Sequence, residues 1–83
     1  MNITLRYFAS IREALGTGSQ AWQTQAGTVA ALRDELMAQG GAYPEALARG
    51  KAIRVAVNQV MADESAAISE GAEVAFFPPV TGG

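Results

Sequence analysis

The chemistry available to this chain rests on a main-chain group rather than on a side chain. The 83-residue sequence contains neither cysteine nor histidine. That removes disulfides, thiol nucleophiles, iron-sulfur ligation, triads built on histidine and the side chain that most often acts as a base near neutral pH. The sequence closes on Val80-Thr81-Gly82-Gly83. Glycines carry no Cβ, so a partner can close around the backbone and bring ATP or a nucleophile against the terminal carboxylate. A carboxylate is a poor electrophile until it is activated, for instance as an acyl adenylate, after which sulfur or an amine can displace the leaving group. No glycine-rich phosphate loop ending in Gly-Lys-Ser/Thr is present, and Gly16-Thr17-Gly18 and Gly40-Gly41 read as turns. The expectation is a chain that binds no cofactor or metal, is not catalytic alone, and relies on a partner to bind ATP.

That tail has to be held by a small body. Asn2 to Phe8 alternates, with Ile3, Leu5 and Tyr7 on one face and Asn2, Thr4 and Arg6 on the other, which predicts a half-buried strand. Ser10 and Glu13 fit a capping box that opens a short helix through Leu15, and Gly16-Thr17-Gly18 ends it. A polar strand is expected over Gln20 to Gln25, centred on Trp22. Thr28 caps the main helix, which buries Val29, Leu32 and Leu36, turns Arg33, Asp34 and Glu35 to water and stops at Gly40-Gly41. Pro44 to Gly50 predicts a single helical turn. Ile53, Val55 and Val57 alternate as a strand, and Asn58-Gln59 turns it into Val60-Met61. Glu70-Gly71 makes a further turn before a last strand, Glu73 to Phe77. Pro78-Pro79 stops that strand, because neither proline can donate to a ladder and the pair prefers an extended conformation. Strands flanking one main helix imply an α+β fold, a mixed sheet of four to five strands packed on that helix with short helices beside it. One domain spans 1–83, with 76–83 as its extended C-terminal stretch.

Three large apolar residues fall on the wrong side of this pattern. Parity places Phe8 with Thr4 and Arg6, Phe77 with Glu73 and Ala75, and Met61 opposite the inward pair Val57 and Val60. Isolated exposed apolar side chains are common, but three on one sheet face suggest a docking surface.

Composition is ordinary for a globular chain, 49% apolar and 17% charged. A net charge of -2 with six scattered basic residues argues against nucleic acid and suits a basic partner surface. No stretch has the length of a membrane span and the first residues lack the pattern of a secretory signal, so the chain reads as soluble and cytoplasmic.

The run Glu73-Val74-Ala75-Phe76-Phe77-Pro78-Pro79-Val80-Thr81-Gly82-Gly83 resembles the C-terminal signature of the molybdopterin synthase small subunit family. Tyr7-Phe8-Ala9 leading into Arg12-Glu13, Thr28-Val29 with Leu32-Arg33, and Ala56-Val57-Asn58-Gln59 extend the likeness over the chain. The resemblance implies a ubiquitin-like β-grasp fold and a sulfur carrier. In that family an adenylating enzyme resembling ubiquitin activators acts on the terminal glycine, here Gly83, and a sulfur donor protein then converts it to a thiocarboxylate. The tail, with Val80, Thr81 and Gly82 inserted into the large catalytic subunit, gives sulfur to precursor Z, the cyclic pyranopterin monophosphate, in molybdenum cofactor biosynthesis. The family's complex is a heterotetramer, and Phe8, Met61 and Phe77 fall where it has its hydrophobic dock. Two alternatives stay open: a carrier for another pathway such as thiamine thiazole synthesis, which would share Gly-Gly but not Phe-Phe-Pro-Pro, and a ubiquitin-like protein modifier.

Overall fold

In the computed structural model, described over residues 1–79, a five-stranded mixed sheet carries one main helix on a single face. The strands are β1 (Asn2–Tyr7), β2 (Ser19–Gln23), β3 (Arg54–Val57), β4 (Val60–Ala62) and β5 (Glu73–Phe77), in the order β2-β1-β5-β3-β4. The helices are α1 (Ala9–Leu15), α2 (Val29–Met37) and the single turn α3 (Tyr43–Ala46). First and last strands pair parallel at the centre of the sheet, and the other three pairings are antiparallel.

The periodicities explain the core. Ile3, Leu5 and Tyr7 of β1 and Val74 and Phe76 of β5 all point toward α2, whose Val29, Leu32 and Leu36 are fully enclosed. Thr28 caps that helix as expected, its hydroxyl accepting from the Ala31 N–H at 3.2 Å. Gly16 ends α1 in the left-handed region at φ 76°, its N–H donating to the Arg12 carbonyl. Asn58 and Gln59 both have positive φ, 51° and 68°, the backbone of a tight hairpin turn whose twist matches the strands it joins. Side-chain bonds then tie the layers together. Gln20 Oε1 accepts from the hydroxyls of both Tyr7 and Tyr43, at 3.0 and 3.1 Å, and the Trp22 indole donates to Glu35 at 2.9 Å. Burial first, and then the neighbouring Tyr43, push the Tyr7 phenol well above its ordinary pKa.

Several expectations are corrected. Arg33 is not in water: it is 3% exposed, with Nε donating to the Leu47 carbonyl at 2.7 Å and Nη2 to the carbonyls of Ala48 and Lys51. Leu47 plugs the core at the end of α3, where its carbonyl has no helical partner, and the guanidinium serves it. Glu64 balances the charge, pairing with both Arg33 and Arg49. Ser10 does not cap α1. Phe8 occupies that position without a side-chain cap bond, its carbonyl accepting from the N–H groups of Ile11 and Arg12. Val60 is 68% exposed rather than inward, because β4 is an edge strand that projects past the rim of the core. The turn expected over Pro44 to Gly50 closes earlier, at Leu47. Phe76 and Phe77 still belong to the ladder of β5, so the C-terminal stretch leaves the sheet only at Pro78.

Candidate functional site

The topology decides where the tail departs and what surrounds it. Because β1 and β5 run parallel, their C-terminal ends lie side by side, with Tyr7 opposite Phe76 and the Phe8 N–H donating to the Phe76 carbonyl at 3.2 Å. Phe8 and Phe77 follow as the next residues on the opposite face. Their rings stack with centroids 4.6 Å apart and planes 8° from parallel. Ala9, at φ 51°, bends the chain away immediately after Phe8. A residue with a Cβ in the left-handed region is strained, and here that bend lets Phe8 stay on the sheet while α1 turns off it.

Register completes this face. Arg6, Ala75, Ala56 and Met61 form one row across β1, β5, β3 and β4, and Arg54 lies directly opposite Phe77 in the next row. Met61 is 53% exposed. The face is not uniformly wet, since Ala56 and Ala75 are both buried; they are small floor positions between larger neighbours. The Arg6 guanidinium sits over the Phe8 ring, 5.7 Å from its centroid, and 3.6 Å from the Glu73 carboxylate. Phe8, Phe77 and Met61, singled out by parity, therefore do share one face. Arg6, Arg54, Ala56 and Ala75 belong to it as well, and the alternation that found the first three could have found these.

On the other side of the departing strand, a groove of about 560 Å³ is lined by Ile11, Ala46, Lys51, Ile53, Pro78 and Pro79 among others. Val80, Thr81, Gly82 and Gly83, expected to form the reactive tail, lie outside the described residues. Among the described residues no group of three or more acidic, histidine or cysteine side chains is placed to hold a metal ion. No helix there is long and apolar enough to cross a membrane.

The sequence pattern of the ThiS family matches residues 5–83. The chain belongs to the ThiS family. Over 81 residues, covering 98% of this chain and 99% of the relative, it is 42% identical to the molybdopterin synthase sulfur carrier subunit of Escherichia coli strain K12. Among solved structures, small archaeal modifier protein 1 of Haloferax volcanii superposes with a TM-score of 0.74 at 28% identity, covering 95% of this chain and 98% of that one. Subunit 1 in the complex of subunits 1 and 2 of the molybdopterin-converting factor from Helicobacter pylori covers all of both chains, with a TM-score of 0.68. At 23% identity that likeness establishes the fold alone. The ubiquitin-like β-grasp expected from the C-terminal signature is thus the fold this ThiS family chain has, and sulfur carriers are its relatives.

Proposed function

We propose that this ThiS family chain is the sulfur carrier subunit of molybdopterin synthase. Its Gly83 carboxylate is adenylated by an ATP-binding partner, converted to a thiocarboxylate by a sulfur donor protein, and presented to the large catalytic subunit, where the sulfur passes to precursor Z. The carrying observation is the stacked Phe8–Phe77 pair beside the point where the chain leaves the sheet, in a sequence 42% identical to a sulfur carrier subunit over nearly its whole length. A dock at the base of the tail fixes where a four-residue arm can reach, about 13 Å at full extension. It supplies binding energy far from the reacting carbon, which is how a slim, featureless tip can be placed accurately. The chain contributes the acyl group and the docking face; the large subunit contributes the catalytic side chains and the activating enzyme contributes ATP. The proposed setting is the cytoplasm.

Reconstitution tests this reading. Thiocarboxylated chain mixed with the large subunit and precursor Z should yield the dithiolene of molybdopterin, and chain ending in an ordinary carboxylate should not. A second reading, a protein modifier, is favoured by the likeness to the Haloferax volcanii modifier protein. Conjugates of this chain to lysines of other proteins, with no dithiolene formed, would establish that reading instead.

A further inference from the structure

The docking face carries two cations that the fold does not need. Arg33 and Arg49 are committed to internal carbonyls and to Glu64 and Asp34. Arg54, by contrast, is exposed and makes no side-chain hydrogen bond or ion pair among the described residues. It lies directly opposite Phe77 in the β3–β5 pairing. Arg6 lies on the far side of the aromatic pair, stacked over Phe8, and its Nε is buried without an acceptor. The acidic groups near these cations are Glu73, Asp63 and Glu64, and Glu64 is already paired with Arg33 and Arg49. Glu73 meets Arg6 at 3.6 Å, too long for a hydrogen bond. Asp63 lines the same hollow as Arg54 and Met61, but its carboxylate already accepts from the N–H and hydroxyl of Ser65.

An acidic chain, net charge -2, thus places one arginine beside Phe8 at the β1 side of its apolar patch and a second on β3, between Phe77 of β5 and Met61 of β4. Arginine is the side chain suited to this place: its planar fork grips a carboxylate with two parallel bonds, it stacks on aromatic rings, and it is enriched at the centres of interfaces. The two positions lie two strands and one side-chain row apart, roughly 12 Å by ordinary sheet spacings.

We propose that the surface docking on this face seats apolar groups on the Phe8–Phe77 pair and on Met61 and carries two carboxylates, one reaching Arg6 beside Phe8 and one reaching Arg54 between Phe77 and Met61. The proposal rests on the reading that this face docks the large subunit, and it names the chemistry of that partner. Overall charge favours a basic partner at long range, whereas these two cations fix the register once the surfaces meet.

The test measures the affinity of the full chain for the purified large molybdopterin synthase subunit of the same organism, by calorimetry at about 50 mM and about 500 mM salt. The variants are Arg6→Gln, Arg54→Gln, their combination, and Phe77→Asp. Glutamine keeps much of the aliphatic stem over the sheet while removing the charge. Each single arginine variant should weaken binding roughly fivefold at low salt and the double variant roughly 25-fold, with both differences shrinking at high salt. Arginine variants that bind as tightly as the parent, or more tightly, at low salt overturn the two carboxylates; loss of binding by Phe77→Asp in the same series would leave the dock itself standing. If Phe77→Asp binds like the parent, the docking reading fails and the proposal fails with it. Should Arg6→Gln not fold, Arg54→Gln alone decides, because that side chain lies outside every internal contact network described above.

Discussion

The Phe8 and Phe77 rings lie parallel, 4.6 Å between centroids, on the sheet face turned away from α2. The pair is half-buried and is not part of the core cluster. Phe77→Asp should therefore cost stability only about 1 kcal/mol, the scale of one aromatic pair, while weakening partner binding 100-fold or so, as expected for a central interface residue. Parallel urea denaturation and binding curves check this. A collapsed fold would mean that Phe77 is a core residue.

Arg33 gives the opposite expectation. Its guanidinium donates to the Leu47 carbonyl, and it adds a second donor to the carbonyls of Ala48 and Lys51, which already accept from the N–H groups of Lys51 and Ile53. Arg33→Ala should destabilise by about 3 kcal/mol, from a stranded Leu47 carbonyl, the packing lost with a buried side chain and a Glu64 left with one fewer partner. Arg33→Lys should not restore it, since one ammonium cannot reproduce the fork. Arg49→Ala, at an exposed pair with Asp34, should cost about 0.5 kcal/mol. Urea midpoints rank the three.

How far the sequence could be read depends on what each residue's fate hangs on. Ile3, Leu5 and Tyr7, and the Val29, Leu32 and Leu36 stripe, follow local periodicity, so their burial was legible. Arg33 follows nothing local: it is buried because Leu47, far along the chain, needs its carbonyl served. Val60 has the right parity for the core, but the core ends before the edge strand does. Of the site, Phe8, Met61 and Phe77 were found by parity. Arg6 and Arg54 carry no such signal, because a charged residue on a wet face is ordinary until the register sets it beside an aromatic pair.

Two backbone positions in the left-handed region should both favour glycine. Ala9 holds φ at 51°, so Ala9→Gly should stabilise by about 0.5 kcal/mol and Ala9→Val should destabilise by about 2 kcal/mol. Gly16 holds φ at 76° with open space where a Cβ would go, so Gly16→Ala should cost about 1 kcal/mol from backbone strain alone. Thermal denaturation of the three variants measures both effects.

Glu35 gives the pH dependence. Burial raises its pKa, but hydrogen bonds from Thr24, Trp22 and the Gln25 backbone together outweigh burial and hold it below the ordinary 4.5. A depressed folded-state pKa stabilises the fold above the unfolded value, and the contribution fades as pH falls through the folded value. Glu35→Gln should therefore be less stable than the parent near neutrality, with the gap closing below pH 4.5. Urea midpoints followed by Trp22 fluorescence across that range test the sign; a gap that widens on acidification would contradict it.

The central claim is that sulfur travels on Gly83, and intact-mass spectrometry measures it directly. The chain is incubated with its adenylating enzyme, ATP and a sulfur donor, beside a variant lacking Gly83. The account predicts a sulfur-for-oxygen mass gain located on Gly83 in the parent and none in the truncated chain, with both chains equally folded. A truncated chain that still gains sulfur, or a parent that gains none while an adenylate forms and decays, would contradict it.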